Sequence, residues 1–398
     1  YMGADSCADC HSSQYGQWIT SGHRFILMGS EDARHRPLPL PPGQSWDDIS
    51  YAVGGHKTRA AYLDDQGYLV SDEFNLSTGE WYEAHPGSSV PYDCAACHTT
   101  GYEESGNQDG LPGFVGTFAL PGVQCEHCHG PGMAMEPGST DPAFCGTCHN
   151  HGPEDTVAAE GGFILSEGQY NEFLASPHSD AGLGCVSCHS PHQTVEFGIE
   201  AQCSDCHSSE AAAYAGTLMD VDGVECIDCH MAPATVSAGP LGPHEGDMRS
   251  HIFNINTDAS ANMFTPDGSQ LALSDGEGAV TLDFACQRCH ETATLEELAK
   301  FAKDFHEDDK TLEDVGLTAG LTGTWWNAAR SGEGFLLQFG DSGGLTLFAS
   351  FYTYAPDGSQ VWLVAQSTSI DGITANVTVF ITSGRAWGDD FDPADGET

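Results

Sequence analysis

The pattern of apolar positions divides the chain of 398 residues into two parts. Up to residue 315, apolar residues are scattered among Gly, Pro, Ser and Asp, and few stretches keep a regular period. The exceptions are strand-like runs at 49–53 and 61–70, with a hairpin turn at 64–67, and helical spacing over Glu291–Phe305. We therefore expect a mostly irregular domain over 1–315, with short helices and long loops.

Beyond residue 316 the pattern changes to β-branched and aromatic runs that are separated by Gly, Asp and Ser. The runs are Thr324–Trp326, Gly334–Phe339, Leu345–Tyr354, Val361–Val364 and Val377–Thr382, and Pro356-Asp-Gly358 is a turn signal. This pattern predicts a small antiparallel β-domain over 316–398. We interpret its aromatic residues as core rather than as a platform for carbohydrate.

All cysteines of the chain fall in one repeated motif. The 16 cysteines form eight C-x-x-C pairs, and a histidine follows each pair. The motifs are Cys7, Cys10 and His11; Cys94, Cys97 and His98; Cys125, Cys128 and His129; Cys145, Cys148 and His149; Cys185, Cys188 and His189; Cys203, Cys206 and His207; Cys226, Cys229 and His230; and Cys286, Cys289 and His290. C-x-x-C-H is the attachment signature of c-type haem.

Two other interpretations of the cysteines explain less. A zinc site needs four ligands, so these half-sites would have to combine in pairs, with no reason for a histidine after every second cysteine. A disulfide framework leaves the histidines unexplained as well. The motifs therefore predict eight haem c groups, each held by two thioethers and by the motif histidine as proximal iron ligand, and no disulfides.

The charge of the chain is strongly acidic, with 12 Lys and Arg against 58 Asp and Glu and a formal net charge of −46. Such a field repels nucleic acid and anionic membranes and favours cationic partners. Covalent haem attachment takes place outside the cytoplasm, so we expect an exported protein. No signal segment precedes Cys7, which predicts that the numbering starts at the mature terminus. No apolar run reaches the length of a membrane span, so we expect no membrane insertion.

Several segments of residues 1–310 resemble extracellular multihaem cytochromes c of respiratory electron export, some of which polymerise into filaments. The segments are Ser21-Gly-His23, Gly122–Gly132, Ser176-Pro-His178, Cys185–His192, Val224–Met231 and Arg249–Phe253. In that family, histidines in such segments bind a neighbouring haem iron from the distal side. The resemblance thus implies His23, His178, His192 and His251 as distal ligands.

Eleven histidines lie outside the motifs, and eight six-coordinate haems need eight of them. His306, after the helical stretch, is a fifth distal candidate, followed by His56, His85 and His151, whereas we favour surface roles for His35 and His244. His127 lies inside a thioether loop that is too short to reach its own iron. We expect it at the surface, beside a haem, or on an adjacent haem. Met133 or Met135 is an alternative ligand for the third haem.

The expected function is long-range electron transfer through closely packed bis-histidine haems, with no catalytic residue assigned. The alternative is an octahaem redox enzyme of the nitrite, hydroxylamine or tetrathionate type with one open haem. Two of those groups commonly carry C-x-x-C-K, which is absent here. A third alternative is adhesion through the β-domain, which resembles a Trp-rich module of secreted bacterial proteins.

Expected partners are copies of the chain in a head-to-tail polymer, redox proteins or an extracellular acceptor. The expected location is extracellular or the cell surface, with the periplasm as the alternative.

Overall fold

The computed structural model describes residues 1–87, 89–132, 136–194, 196–221, 223–303, 305–306, 323–326, 334–341, 345–354, 360–371 and 374–382. The chain forms two compact units. The first comprises Tyr1–Ala211, Leu218–Ile255 and Asn262–Val280, and the second comprises Ala212–Thr217, Asn256–Ala261 and the described part of Thr281–Thr398. The predicted boundary between 315 and 316 lies outside the described residues and stays a prediction.

The helices of the described residues are short. They are α1 (Ser12–Trp18), α2 (Gly22–Phe25), α3 (Ser30–Ala33), α4 (Ala95–His98), α5 (Cys125–His129), α6 (Pro142–Gly146), α7 (Gln169–Leu174), α8 (Pro177–Asp180), α9 (Cys203–Cys206), α10 (Ser208–Tyr214), α11 (Leu218–Val221), α12 (Cys226–His230) and α13 (Leu295–Ala302). Single 3₁₀ turns cover Ala4–Cys7, Trp46–Asp48, Gln108–Gly110 and Cys185–Ser187, and a π-helical turn covers Asp283–Gln287. Short helices between long loops confirm the predicted fold class of the cysteine-bearing region.

Helix α13 is shorter than the predicted Glu291–Phe305. The Thr294 hydroxyl accepts a hydrogen bond from the Glu297 N–H at 3.2 Å, and the Glu297 carboxylate accepts the Thr294 N–H at 2.9 Å. This reciprocal capping box satisfies the free donors of the first turn and makes the helix begin at Leu295. At the other end, Lys303 has extended backbone angles, so the helix stops at Ala302.

A sheet of seven strands lies in the N-terminal part of the first unit. Its strands are β1 (Leu27–Gly29), β2 (Ile49–Gly54), β3 (Arg59–Asp64), β4 (Tyr68–Leu69), β5 (Asp72–Asn75), β6 (Glu80–Glu83) and β7 (Val90–Pro91). The order is β1-β2-β3-β4-β7, with β5 paired to β3 and β6. The predicted turn at 64–67 is confirmed: Leu63 pairs with Leu69, and Gly67, at φ 84°, donates its N–H to the Asp64 carbonyl at 3.0 Å.

Both faces of this sheet are buried. Neighbouring residues of β3 point to opposite sides, because side chains alternate along a strand. Leu63 packs with Tyr51, Tyr92 and Phe114 on one face, whereas Tyr62 packs in a second cluster on the other. Ala95, the residue after Cys94, belongs to the first cluster. The sheet core thus borders directly on the second cysteine motif.

The remaining strands of the first unit are two or three residues long. β8 (Thr99–Thr100) pairs with β9 (Leu120–Pro121), and β10 (Ala159–Glu160) pairs with β11 (Phe163–Leu165). β11 also pairs in parallel with β12 (Thr235–Val236), which joins segments far apart in the chain. β13 (Ile255–Asn256) and β14 (Val280–Thr281) complete the short strands.

The second unit contains the predicted C-terminal antiparallel sheet. Its strands follow chain order: β15 (Gly323–Trp326), β16 (Gly334–Asp341), β17 (Leu345–Tyr354), β18 (Gln360–Asp371) and β19 (Thr374–Thr382). All five predicted runs are strands, while the predicted turn at Pro356–Gly358 lies outside the described residues. The expectation that the aromatic residues form a core is wrong for several of them. Phe335, Phe348, Trp362 and Phe380 are 42–51% exposed.

None of the helices in the described ranges combines the length and the apolar composition that a bilayer crossing requires.

Candidate functional site

Each cysteine motif curls into a single turn. In six motifs, the backbone N–H of the histidine donates to the carbonyl oxygen of the first cysteine at 2.9–3.2 Å. The other two motifs lie within α5 and α12. Positions i, i+3 and i+4 of a helical turn face the same side. The spacing C-x-x-C-H therefore presents both thiols and the imidazole together, as two thioether bonds and one iron bond require. We number these sites I to VIII in chain order.

Four motif histidines face a histidine from outside the motifs. The distances between ring centres are 6.3 Å for His149 and His23, 6.2 Å for His129 and His192, 5.9 Å for His207 and His178, and 6.0 Å for His189 and His251. The four outer members are the histidines that the family resemblance implied as distal ligands. The structure thus brings each of them beside one particular motif, at sites IV, III, VI and V.

The spacing of these rings fits an iron atom between them. With metal–imidazole nitrogen bonds of about 2.0–2.1 Å, two rings on opposite sides of one metal have their centres roughly 6 Å apart. The angles between the ring planes range from 7° for His129 and His192 to 84° for His207 and His178. A common stacking geometry therefore does not explain the constant distance. The residues present fit haem c at these four sites.

Backbone carbonyl groups contact several of the motif and distal histidines at the Nδ1 atom. Nδ1 of His129 lies 2.8 Å from the Glu136 carbonyl oxygen, and Nδ1 of His23 lies 3.2 Å from that of Pro191. The corresponding atom of His230 lies 2.8 Å from the Phe253 carbonyl oxygen. A carbonyl oxygen only accepts, so it fixes the proton on Nδ1 and leaves Nε2 with its lone pair toward the metal.

Site II has a phenol in place of a carbonyl group. The Tyr92 hydroxyl lies 2.6 Å from Nδ1 of His98, and Tyr92 is 1% exposed. Burial, followed by the nearby Arg59, lowers the pKa of His98 to about 4. The neutral imidazole that a metal needs is therefore the dominant form at neutral pH.

The same holds for two distal candidates. Burial and the neighbouring His149 lower the pKa of His23 to about 4, and burial and His189 do the same for His251. Both rings are thus uncharged at neutral pH and available as ligands.

The other distal candidates occupy different surroundings. His85 directs Nε2 to the Glu73 carboxylate at 3.2 Å, and His56 stacks on Phe25 with ring centres 5.5 Å apart. The backbone N–H of His151 donates to the Asn171 side chain at 2.9 Å. His306, in the second unit, packs edge-on to Phe305 at 5.2 Å. His35 is exposed, as predicted, and His244 is partly buried.

His127 connects two other motifs instead of its own. Its Nδ1 lies 3.1 Å from the carbonyl oxygen of Thr99, directly after His98, and the nearby Cys148 thiol raises the pKa of its ring. His127 therefore touches sites II and IV from within the loop of site III. Met133 and Met135, the alternative ligands for site III, lie outside the described residues.

Thiols of different motifs lie close to one another. Four neighbouring pairs influence each other's pKa: Cys125 and Cys7, Cys97 and Cys148, Cys185 and Cys145, and Cys203 and Cys226. Cys188 and Cys206 are close enough for their charges to interact, and so are Cys128 and Cys145. These contacts link sites I, III, IV, V, VI and VII into one series, with site II beside site IV.

Two buried glutamates near the sites have no counterpart in the sequence prediction. The Glu126 carboxylate accepts the N–H groups of Met2 and Gly3 at 2.8 Å and that of Gly132 at 2.6 Å. Glu172 is completely buried, and burial raises its pKa to about 8. Neither residue is a cysteine or histidine of a motif, and neither belongs to a periodic apolar pattern. The only signal was their position, inside a thioether loop and shortly before Ser176-Pro-His178.

Comparison with known proteins gives matches to parts of the chain. Residues 118–208 match the family model of cytochrome c3, and residues 77–130 match that of cytochrome c554 and c-prime. Multiheme cytochrome MtrA of Shewanella baltica (strain OS185) is 26% identical over 131 residues, which cover 30% of this chain and 38% of that protein. The chain therefore matches well under half the length of this curated relative.

Two solved structures are similar over larger parts of the chain. The crystal structure of the outer cell wall cytochrome OcwA has a TM-score of 0.49 at 17% identity and covers 80% of this chain and 94% of that chain. The undecaheme cytochrome from the S-layer of Carboxydothermus ferrireducens has a TM-score of 0.46 at 17% identity, over 77% of this chain and 60% of that chain. Together with the attachment motifs, the two family matches make the chain similar to multihaem c-type cytochromes.

Proposed function

We propose that the chain is an octahaem electron-transfer protein whose haems are mostly ligated by two histidines. The observation that carries this proposal is the set of four imidazole pairs with ring centres 5.9–6.3 Å apart. Each pair joins a motif histidine to His23, His178, His192 or His251. With both axial positions filled by protein, substrate has no open position on the metal. Haem iron held in this way exchanges single electrons.

The contacts between motifs support transfer along the chain of sites. The thiols of sites I and III, II and IV, IV and V, and VI and VII are close neighbours. Because each thiol would become a bond to a porphyrin edge, neighbouring thiols would bring the porphyrins that they hold close together. This arrangement supports a short route through at least seven sites.

Carbon monoxide binding tests the ligand assignment, because it requires an open position on reduced haem. His23→Ala is expected to add one carbon monoxide-binding haem per chain relative to the parent protein. His35→Ala, which removes an exposed histidine, is the matched control and adds none. An unchanged spectrum for His23→Ala overturns the assignment at site IV. Strong carbon monoxide binding by the parent protein favours the enzyme alternative, while the intact mass tests the count of eight haems.

The location and the partners belong to the same proposal. Covalent haem attachment and the net charge of −46 support an exported protein at the cell surface or outside the cell, with cationic redox proteins or an extracellular acceptor as partners.

Polymerisation through a head-to-tail interface is a further proposal, because repeated contacts that do not close into a ring give a filament. Negative-stain microscopy tests it, and discrete monomers at every salt concentration and pH overturn it. The C-terminal sheet serves docking, cover or surface display.

A further inference from the structure

The carboxyl group of Glu172 is buried and contacts polar groups of two other residues. Helix α7 carries it into the first unit, where the side chain is 0% exposed. Its Oε2 accepts the backbone N–H of His251 at 2.5 Å, and its Oε1 accepts the Thr235 hydroxyl at 3.5 Å. Burying a carboxyl group is costly unless its contacts compensate, so the position of Glu172 requires a role that an apolar residue cannot fill.

The ring of His251 turns toward the same oxygen. Its Nδ1 lies 4.0 Å from Oε2 of Glu172 and is a buried atom with no hydrogen-bond partner among the described residues. His23, His129 and His230, in contrast, each place Nδ1 near a backbone carbonyl oxygen. One carboxyl oxygen therefore holds the main chain of His251 by a hydrogen bond and is also the acceptor that lies near Nδ1 of its ring.

We infer that Glu172 is a positioning residue for the distal ligand of site V, holding His251 opposite His189 through its backbone and directing its ring. The inference rests on the proposed function, since that assigns His251 to the iron of site V. Groups that orient a metal-bound histidine typically change metal affinity by about 10–100-fold when they are removed. Thr235, on β12, donates its hydroxyl to the other oxygen of this carboxyl group.

Three variants test the inference. Glu172→Ala removes the acceptor and is expected to release His251, giving about one added high-spin, carbon monoxide-binding haem per chain. Glu172→Gln keeps an oxygen that accepts the His251 N–H and is expected to retain the low-spin spectrum. Asp247→Ala is the matched control. The Asp247 carboxylate accepts the N–H groups of Ser237 and Ala238, directly after β12, at 2.7 and 2.8 Å. Loss of this carboxylate is expected to open no haem.

The readouts are the high-spin signal in electron paramagnetic resonance and the carbon monoxide stoichiometry, with haem content and circular dichroism as checks of folding. If Glu172→Ala does not fold, the inference is tested by comparing the spin state and carbon monoxide binding of Glu172→Gln with those of His251→Ala. His251→Ala opens one haem if the proposed ligand is correct, whatever Glu172 does. The inference is overturned if Glu172→Ala stays low-spin, or if Asp247→Ala opens a haem equally well. If His251→Ala itself opens none, the proposed ligand fails instead.

Discussion

The two large sheets of this molecule differ in how deeply they bury their apolar side chains. In the N-terminal sheet, strands of two to six residues bury both faces, and Tyr62 and Leu63 are each 0% exposed. In the C-terminal sheet, strands of four to twelve residues leave Trp362 51% and Ile381 67% exposed. The first sheet is therefore a core element beside a cysteine motif, whereas the second carries neither a cysteine nor a histidine.

This difference shows which structural features a regular pattern of apolar residues can predict. The C-terminal strands have strong β-branched and aromatic runs, so their existence was predictable. The N-terminal strands β5 and β6 read Asp-Glu-Phe-Asn and Glu-Trp-Tyr-Glu. The Glu73 carboxylate of β5 is buried, accepts a hydrogen bond from the Tyr82 hydroxyl of β6 and forms an ion pair with Arg59. A cysteine motif borders the core of the irregular sheet, whereas the described strands of the regular sheet contain no cysteine and no histidine.

The largest difference between the sheets is expected in their response to loss of an aliphatic side chain. Leu63→Ala is expected to reduce the free energy of unfolding by about 2–5 kcal/mol, because it leaves a cavity in a closed core. Ile381→Ala, at an exposed position, is expected to cost about 0.5 kcal/mol or less. Denaturant unfolding followed by circular dichroism measures both. Equal losses would mean that the C-terminal sheet is buried as deeply as the N-terminal one.

A smaller effect is expected from a single hydroxyl group. Tyr92→Phe removes the partner 2.6 Å from Nδ1 of His98 and leaves a buried polar atom unsatisfied, at a cost of about 1–3 kcal/mol. It is also expected to alter the spectrum of site II. Tyr354→Phe, on the exposed C-terminal sheet, is the control and should change neither stability nor spectrum. An identical effect of the two variants would contradict the role of Tyr92 at the haem.

A still smaller effect concerns an ion pair between the turn after β2 and the segment after His192. Hydrogen bonds from Lys57 and Thr194 lower the pKa of Glu196 to about 2. The stabilisation is therefore complete above the ordinary pKa of a glutamate and is lost as the pH falls toward 2. Both side chains are about half exposed, so Lys57→Ala is expected to cost at most about 1 kcal/mol. Thermal unfolding should show a larger difference at pH 7 than at pH 3, and none below pH 2.

The smallest effect is expected from removing the C-terminal sheet altogether. Deletion of 321–398 takes away no cysteine and no histidine, so the number of attached haems should equal that of the parent protein. Intact-mass measurement of the two proteins gives the counts. Loss of one or more haems would show that the sheet is needed for haem attachment and would remove the distinction between the two regions.

Local features of the sites were predictable because they depend on neighbouring residues. The C-x-x-C-H spacing dictates one helical turn, and the turn at 64–67 follows from Asp64 and Gly67. The partner of each histidine was not predictable, since His23 and His149 meet only after the chain has folded. Glu172 and Tyr92 were missed for a related reason: a single buried polar residue leaves no periodic signal in the sequence.

The contact of Glu126 with Met2 and Gly3 has a consequence for how the protein matures. The bonded groups of Met2 and Glu126 are 124 positions apart in the chain. Closing so long a loop costs entropy, and it cannot happen before site III has been synthesised. The segment that leads into Cys7 therefore reaches its final conformation only together with a residue between Cys125 and Cys128. Site I should thus be among the later sites to reach its final conformation, which pulsed hydrogen exchange during refolding can time.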